Sequence, residues 1–286
     1  MDPAARYDMK VGDETFPGSY PQNRVAMISR LPKAPLTEVV FEMRWNTLPA
    51  PPLPIDPGYP VLLDAFSNYA HKKGFDSIED KQPPYAGIGS SISRRFRTGQ
   101  DAFPLLQLGH GLYAANESVN YDWASFKQMA ADGASCIIDA YPRLKNFELD
   151  ISHVELRYID TFEETLVGTT DIAKFLNLAT EEKLMLSPFW TGKLLSGDQR
   201  GRIRFESDVR KLPGAVFFVD IATAKREETP VIRMETKVFW SGTKLFPVRN
   251  ATKFSTKLEP WLERAHEVTH KSFLEIIKPA ILDAFK

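Results

Sequence analysis

The chain has 286 residues, 43% apolar and 12% aromatic, enough for a packed core in one large domain or two of ordinary size. Its 36 Lys and Arg balance 37 Asp and Glu to a net charge of −1, so no global field draws it to nucleic acid or an anionic membrane. Cys136 is the single cysteine, which excludes an internal disulfide and any site of several thiolates; there is no apolar signal core, nor a run of the roughly 20 apolar residues a membrane span needs, and together these predict a cytoplasmic protein with no membrane contact.

Residues 1–35, rich in Pro, Gly, Asp and Arg, predict an extended arm suited to docking a partner or a second subunit. From Thr37 to Asn46 the apolar Val39, Phe41, Met43 and Trp45 alternate with Glu38, Val40, Glu42 and Arg44, the period of a strand with one large apolar face. A loop with five prolines leads to a helix over Val61–Lys73, where Leu62, Leu63, Phe66 and Tyr69 fall at helical spacing and Gly74 stops it. Two strands follow, Ser90–Thr98 and Phe103–Ala114, and then a long amphipathic helix carrying Trp123, Phe126, Met129 and Ile137 up to Pro142. The order is β-α-β-β-α.

The second half opens with a strand over Ile151–Asp160 and a short helix from about Thr170 to Leu178. Three strands come next, Lys193–Glu206, Ala215–Ala224 and Val231–Trp240, and a terminal helix from about Ser255 to Phe285. The order β-α-β-β-β-α has one strand more than the first. Phe41-Glu42-Met43-Arg44-Trp45 is echoed by Val154-Glu155-Leu156-Arg157-Tyr158, and Ile137-Ile138-Asp139-Ala140-Tyr141 by Ile281-Leu282-Asp283-Ala284-Phe285. These echoes predict an α+β protein of two similar halves, 36–148 and 149–286, forming one compact unit of largely antiparallel sheets packed on long helices, with a cleft between the halves; chance similarity of short motifs is the competing explanation.

The ordered motifs Pro35-Leu36-Thr37-Glu38-Val39-Val40-Phe41-Glu42-Met43-Arg44, Gln107-Leu108-Gly109, Asn116, Tyr121-Asp122-Trp123 with Phe126, Leu156-Arg157-Tyr158-Ile159-Asp160, and His266 with Phe273 resemble a sporadically distributed bacterial family of conserved proteins of unknown function. The resemblance spans nearly everything beyond the arm. It implies no catalytic residues, and a sporadic distribution implies a link to mobile elements or defence.

Three constellations bear on chemistry. Glu42 with Arg44 and Glu155 with Arg157 stand at i and i+2, hence on one face of each strand. They read as a polar cluster contacting a ligand or partner, with Tyr158 beside Arg157, or as a salt-bridge ladder on a solvent-facing sheet, and the ladder is favoured. Arg94, Arg95 and Arg97, and Arg200, Arg202 and Arg204, alternate with or adjoin Phe96 and Phe205, as a nucleic-acid binder requires, but nearby carboxylates favour solvated strand faces. His266-Glu267-Val268-Thr269-His270 matches the H-E-x-x-H of zinc peptidases, yet only 16 residues follow it and no third ligand is evident, so a packed or solvated histidine pair is favoured.

No phosphate-binding glycine loop and no G-x-S-x-G elbow occurs in the chain. Asn116 reads as a local cap and Cys136 as an inert thiol. No catalytic set is complete and no cofactor is implied. The expectation is a non-enzymatic binding or regulatory protein recognising a protein partner or small ligand, with nucleic-acid binding through the arginine strands and zinc hydrolysis through His266 and His270 as alternatives.

Overall fold

The computed structural model describes residues 34–49, 55–80, 92–118, 121–177, 202–242, 246 and 250–285. Almost all of the expected N-terminal arm, the part of the expected strand before Arg202, and with it Arg200, lie outside the described residues.

One sheet organises the chain. Its strands are β1 (Leu36–Trp45), β2 (Ser77–Asp80), β3 (Ile92–Arg97), β4 (Leu105–Gly109), β5 (Leu112–Glu117), β6 (Ile151–Glu163), β7 (Arg202–Asp208), β8 (Ala215–Arg226) and β9 (Thr229–Ser241). They lie in the order β2-β3-β4-β5-β1-β6-β9-β8-β7, every neighbouring pair antiparallel. The fold is therefore α+β, with a single sheet in place of two. Outward from β1 run β5, β4, β3 and β2, and outward from β6 run β9, β8 and β7, so the opening strand of each half lies at the centre. β1 and β6 pair along nearly their whole length, with Phe41 opposite Leu156 and Glu42 opposite Glu155. Where a cleft between halves is expected, there is a continuous seam.

Among the described residues three long helices cover one face: α1 (Tyr59–Lys72), α2 (Trp123–Ala140) and α5 (Ala251–Ile276). Each buries the stripe its periodicity presents, for example Leu62 and Phe66, then Phe126, Ala130 and Ile137, then Phe254, Leu258 and Leu262. Phe66 meets Phe96 and Tyr113 at 5.4 and 5.5 Å between ring centres, edge to face. Asp122 caps α2 by accepting from the Ser125 N–H at 3.0 Å, and Asn250 caps α5 from Lys253 at 3.0 Å. Short helices α3 (Glu164–Val167), α4 (Ile172–Phe175) and α6 (Pro279–Leu282) fill the connections.

Three differences from the sequence expectations have local causes. The run Phe103–Ala114 is two strands because His110 and Gly111 make a tight turn, Gly111 adopting φ +69°. With β2 added, the described residues of the first half form five strands and those of the second four, where the sequence expectation has one more in the second. The terminal helix stops at Ile276 because the residue before Pro279 resists helical geometry; Ile277 and Lys278 turn extended, and the Lys278 N–H bonds the Phe175 carbonyl at 3.1 Å.

Candidate functional site

The β1–β6 seam collects the residues the sequence singles out, but divides them between two faces. On the face turned away from the long helices, Glu42 stands directly opposite Glu155. Arg44 donates from Nε to Glu42 at 2.6 Å. Arg157 lies 3.3 Å from Glu155 and His153 3.7 Å. Lys237 of β9 also reaches Glu155, at 3.2 Å, because it is the register partner of Arg157. Burial works to raise the Glu155 carboxyl, but the joint pull of His153, Arg157 and Lys237 overrides it and holds the group at about 2. The sequence offered no signal for Lys237, which is 82 positions from Glu155 and joins it only through strand pairing.

A second chain of polar groups crosses the same face in the first half. Asn116 donates to Glu38 at 2.6 Å and accepts from Gln107 at 2.8 Å, and Gln107 accepts from Arg95 at 3.0 Å. Asn116 is thus a cross-strand bridge inside β5, and the cap it was expected to supply comes from Asp122. Both amides are buried, and the linked partners satisfy them.

Tyr158, expected beside Arg157 at one contact surface, points to the helix side, because successive strand residues alternate. It is nearly buried, and its hydroxyl is hydrogen-bonded to His266 Nδ1 at 2.7 Å and to the Tyr121 hydroxyl at 3.0 Å. The His266 ring stacks on Trp123 with centres 4.0 Å apart and planes 14° apart. Trp123 in turn donates to Glu263, which Lys127 also holds at 2.7 Å. Burial, helped by the neighbouring His270, pushes His266 down to about 4, so it is neutral near pH 7. Two residues beyond Tyr158 and on the same face, Asp160 is driven up to about 7 by burial. Tyr121, Trp123, Tyr158, Asp160 and His266 all belong to the motifs that carry the family resemblance.

The second histidine, His270, stacks near His266 at 5.8 Å between ring centres, while Glu267 turns to Arg264. Among the described residues no group of three His, Cys, Asp or Glu could hold a metal ion. The arginine strands join one sheet but not one patch. β3 is next to one edge and β7 forms the other, with six strands between them, or about 34 Å at the usual strand spacing. Arg94 pairs with Asp80 at 2.6 Å, Arg95 with Gln107, and Arg97 bonds the Ala102 carbonyl at 3.0 Å. Arg202 and Arg204 both engage Asp220.

At the end of the seam where β1 begins and β6 ends lies a groove of about 470 Å3. The first half supplies Ala34, Pro35, Leu36, Thr37 and Ser118; the second supplies Thr161, Glu163, Leu166 and Arg226. Thr37 Oγ1 donates to Thr161 Oγ1 at 2.8 Å, and Arg226 lies 3.5 Å from Glu163, both half exposed or more. These groove residues escape sequence reasoning because they come from four distant segments; only the adjacency of Thr37 and Thr161 to recognised motifs could have pointed there. Among the described residues no helix is long and apolar enough to cross a membrane. No protein-family model matches the chain, and no curated protein matches it.

Proposed function

We propose that this chain is a non-enzymatic binding or regulatory protein of a bacterial cytoplasmic system, and that it recognises a segment of a protein partner at the groove shared by its two halves. The carrying observation is the composition of that groove. Pro35, Leu36 and Leu166 offer an apolar wall, the Thr37, Thr161 and Ser118 hydroxyls offer hydrogen bonds, and the Glu163–Arg226 pair offers one charge of each sign at the rim. Such a lining suits an extended amphipathic polypeptide, which needs apolar contact and hydrogen-bonding partners together. A small polar ligand is the second occupant this chemistry admits.

Two further observations favour the wider reading. Tyr121, Tyr158 and His266, drawn from three separate motifs of the resemblance, meet in one hydrogen-bonded network, as a core common to the proposed family would. Glu42 and Glu155 are equivalent in the repeated motif and are also register partners, which supports an origin of the halves by duplication. The alternatives draw less support: the arginine strands are separated by six strands of the sheet, and His266 spends Nδ1 on Tyr158 and its ring face on Trp123.

The test starts from the complex purified from the native host and weighed intact by mass spectrometry. With the partner identified, Thr37→Trp should fill the groove and weaken the complex about tenfold or more, while Arg44→Ala on the sheet face should leave it unchanged. A complex indifferent to Thr37→Trp would refute the groove as the binding site; stoichiometric zinc, lost on His266→Ala, would replace this reading with the hydrolase.

A further inference from the structure

The outermost strand of the second half carries a charge pattern that matches itself. β7 reads Arg202-Ile203-Arg204-Phe205-Glu206-Ser207-Asp208, pairs with β8 on one side, and is the last strand of the sheet among the described residues. The backbone N–H and C=O groups of its outer edge are therefore a template for another strand. All its residues except Ile203 are exposed, Phe205 to 42%. Protein sheets usually guard such an edge with lysines, prolines or bulges. β7 has no lysine and no proline, its register with β8 is unbroken, and an aromatic ring sits at its centre.

An inverted copy of β7 is complementary to it about Phe205. Antiparallel pairing centred there sets Arg204 opposite the partner's Glu206, Arg202 opposite the partner's Asp208, and the two Phe205 rings opposite each other; twofold symmetry makes each ion pair occur twice. The charges are available for this. Arg202 and Arg204 lean on Asp220 yet stay 60% and 54% exposed, and Glu206 and Asp208 have no ion-pair partner among the described residues. The other edge offers no such match: β2 has four residues, and its Glu79 and Asp80 already face Arg95 and Arg94.

We propose that two copies of this chain pair through β7 around a twofold axis at Phe205, joining their nine-stranded sheets into one continuous sheet. This dimer is independent of the partner groove, which lies at the β1–β6 seam. A seven-residue strand pair is smaller than a standard stable interface, so dissociation falls in the micromolar range and the rim ion pairs make it salt-sensitive.

Sedimentation of the intact 32.4 kDa chain across micromolar to millimolar concentrations tests the proposal. The expected result is a reversible monomer–dimer equilibrium that weakens as salt is added. Glu206→Arg alone should weaken dimerisation about tenfold or more, because it sets a second cation against Arg204; Arg204→Glu should do the same with two anions. Combining both substitutions in one chain should restore the dimer, and mixing the two single variants should yield a heterodimer. Asp208→Arg repeats the test without touching the Asp220 pairing, in case Arg204→Glu disturbs the fold. A chain monomeric throughout, a dimer indifferent to all these reversals, or open-ended assemblies in place of a dimer would each overturn the proposal.

Discussion

Glu42 and Glu155 face each other across the centre of the sheet, two carboxylates as register partners on neighbouring strands. Like charges so placed repel, and the fold offsets this by giving each its own partners: the Arg44 cation to Glu42, and the Arg157 and Lys237 cations with the His153 ring to Glu155. The two positions should therefore respond differently to loss of charge. Glu42→Gln removes the repulsion at the expense of one exposed ion pair, and its effect on stability should stay within about 0.5 kcal/mol of zero. Glu155→Gln leaves Arg157 and Lys237 crowded around a neutral amide and should cost about 1–3 kcal/mol. Chemical denaturation of both variants at pH 7 checks the contrast; equal costs would contradict this account of the seam.

Buried groups behind Tyr158 make opposite demands on pH. Asp160, raised to about 7, favours folding while protonated, so its contribution is complete below the ordinary carboxylate range and is lost as pH rises toward 7. His266, lowered to about 4, favours folding while neutral; its contribution is complete above about 6.5 and is lost as pH falls toward 4. Between about 4 and 6.5 the two slopes have opposite signs and offset each other. Asp160→Asn should unmask the histidine, so that stability climbs across that window and exceeds the parent chain's at pH 8. His266→Gln should unmask the aspartate and make stability decline across it. Thermal melts at stepped pH values read both outcomes, and parallel curves for all three proteins would count against them.

Gly133 sits in the middle of α2, where a glycine normally weakens a helix. A Cβ built there would lie 2.1 Å from the Tyr113 hydroxyl oxygen and 2.5 Å from the adjoining ring carbon. Tyr113 is fully buried and has nowhere to move. Gly133→Ala should therefore destabilise the protein by about 1–3 kcal/mol, although alanine is the better helix former. The companion substitution Tyr113→Phe, by removing the hydroxyl, should recover part of that loss in the double variant, measured by the same denaturation curves.

Asp56 ties the loop before α1 to both ends of the first half. Its carboxylate accepts from Trp45 Nε1 at 2.8 Å, from the Gly58 N–H at 2.9 Å, and from the Tyr141 hydroxyl. Asp56 is 1% exposed, so none of these donors has water as a substitute. Asp56→Ala strands them and should cost about 3–5 kcal/mol. Asp56→Asn keeps two acceptor lone pairs and should cost less than half as much, a comparison that thermal unfolding can make directly.

Much of the architecture was legible in one dimension. The alternation of Val39, Phe41, Met43 and Trp45 against Glu42 and Arg44 marks β1 with its buried and polar faces, and the stripes through Phe66 and Phe126 mark α1 and α2, because local periodicity is enough to decide what a strand or helix buries. The parity of Glu155, Arg157 and Tyr158 already implied that Tyr158 must leave its neighbour's face. What no local pattern could hold is the identity of neighbours: that β1 lies beside β6, that Lys237 completes the cage around Glu155, that Tyr121 and His266 meet at Tyr158, and that Thr37 and Thr161 share a groove. Those are long-range contacts, set by strand order and register. Side-chain periodicity selects a face but never a partner strand, so these sites exist only in the folded sheet.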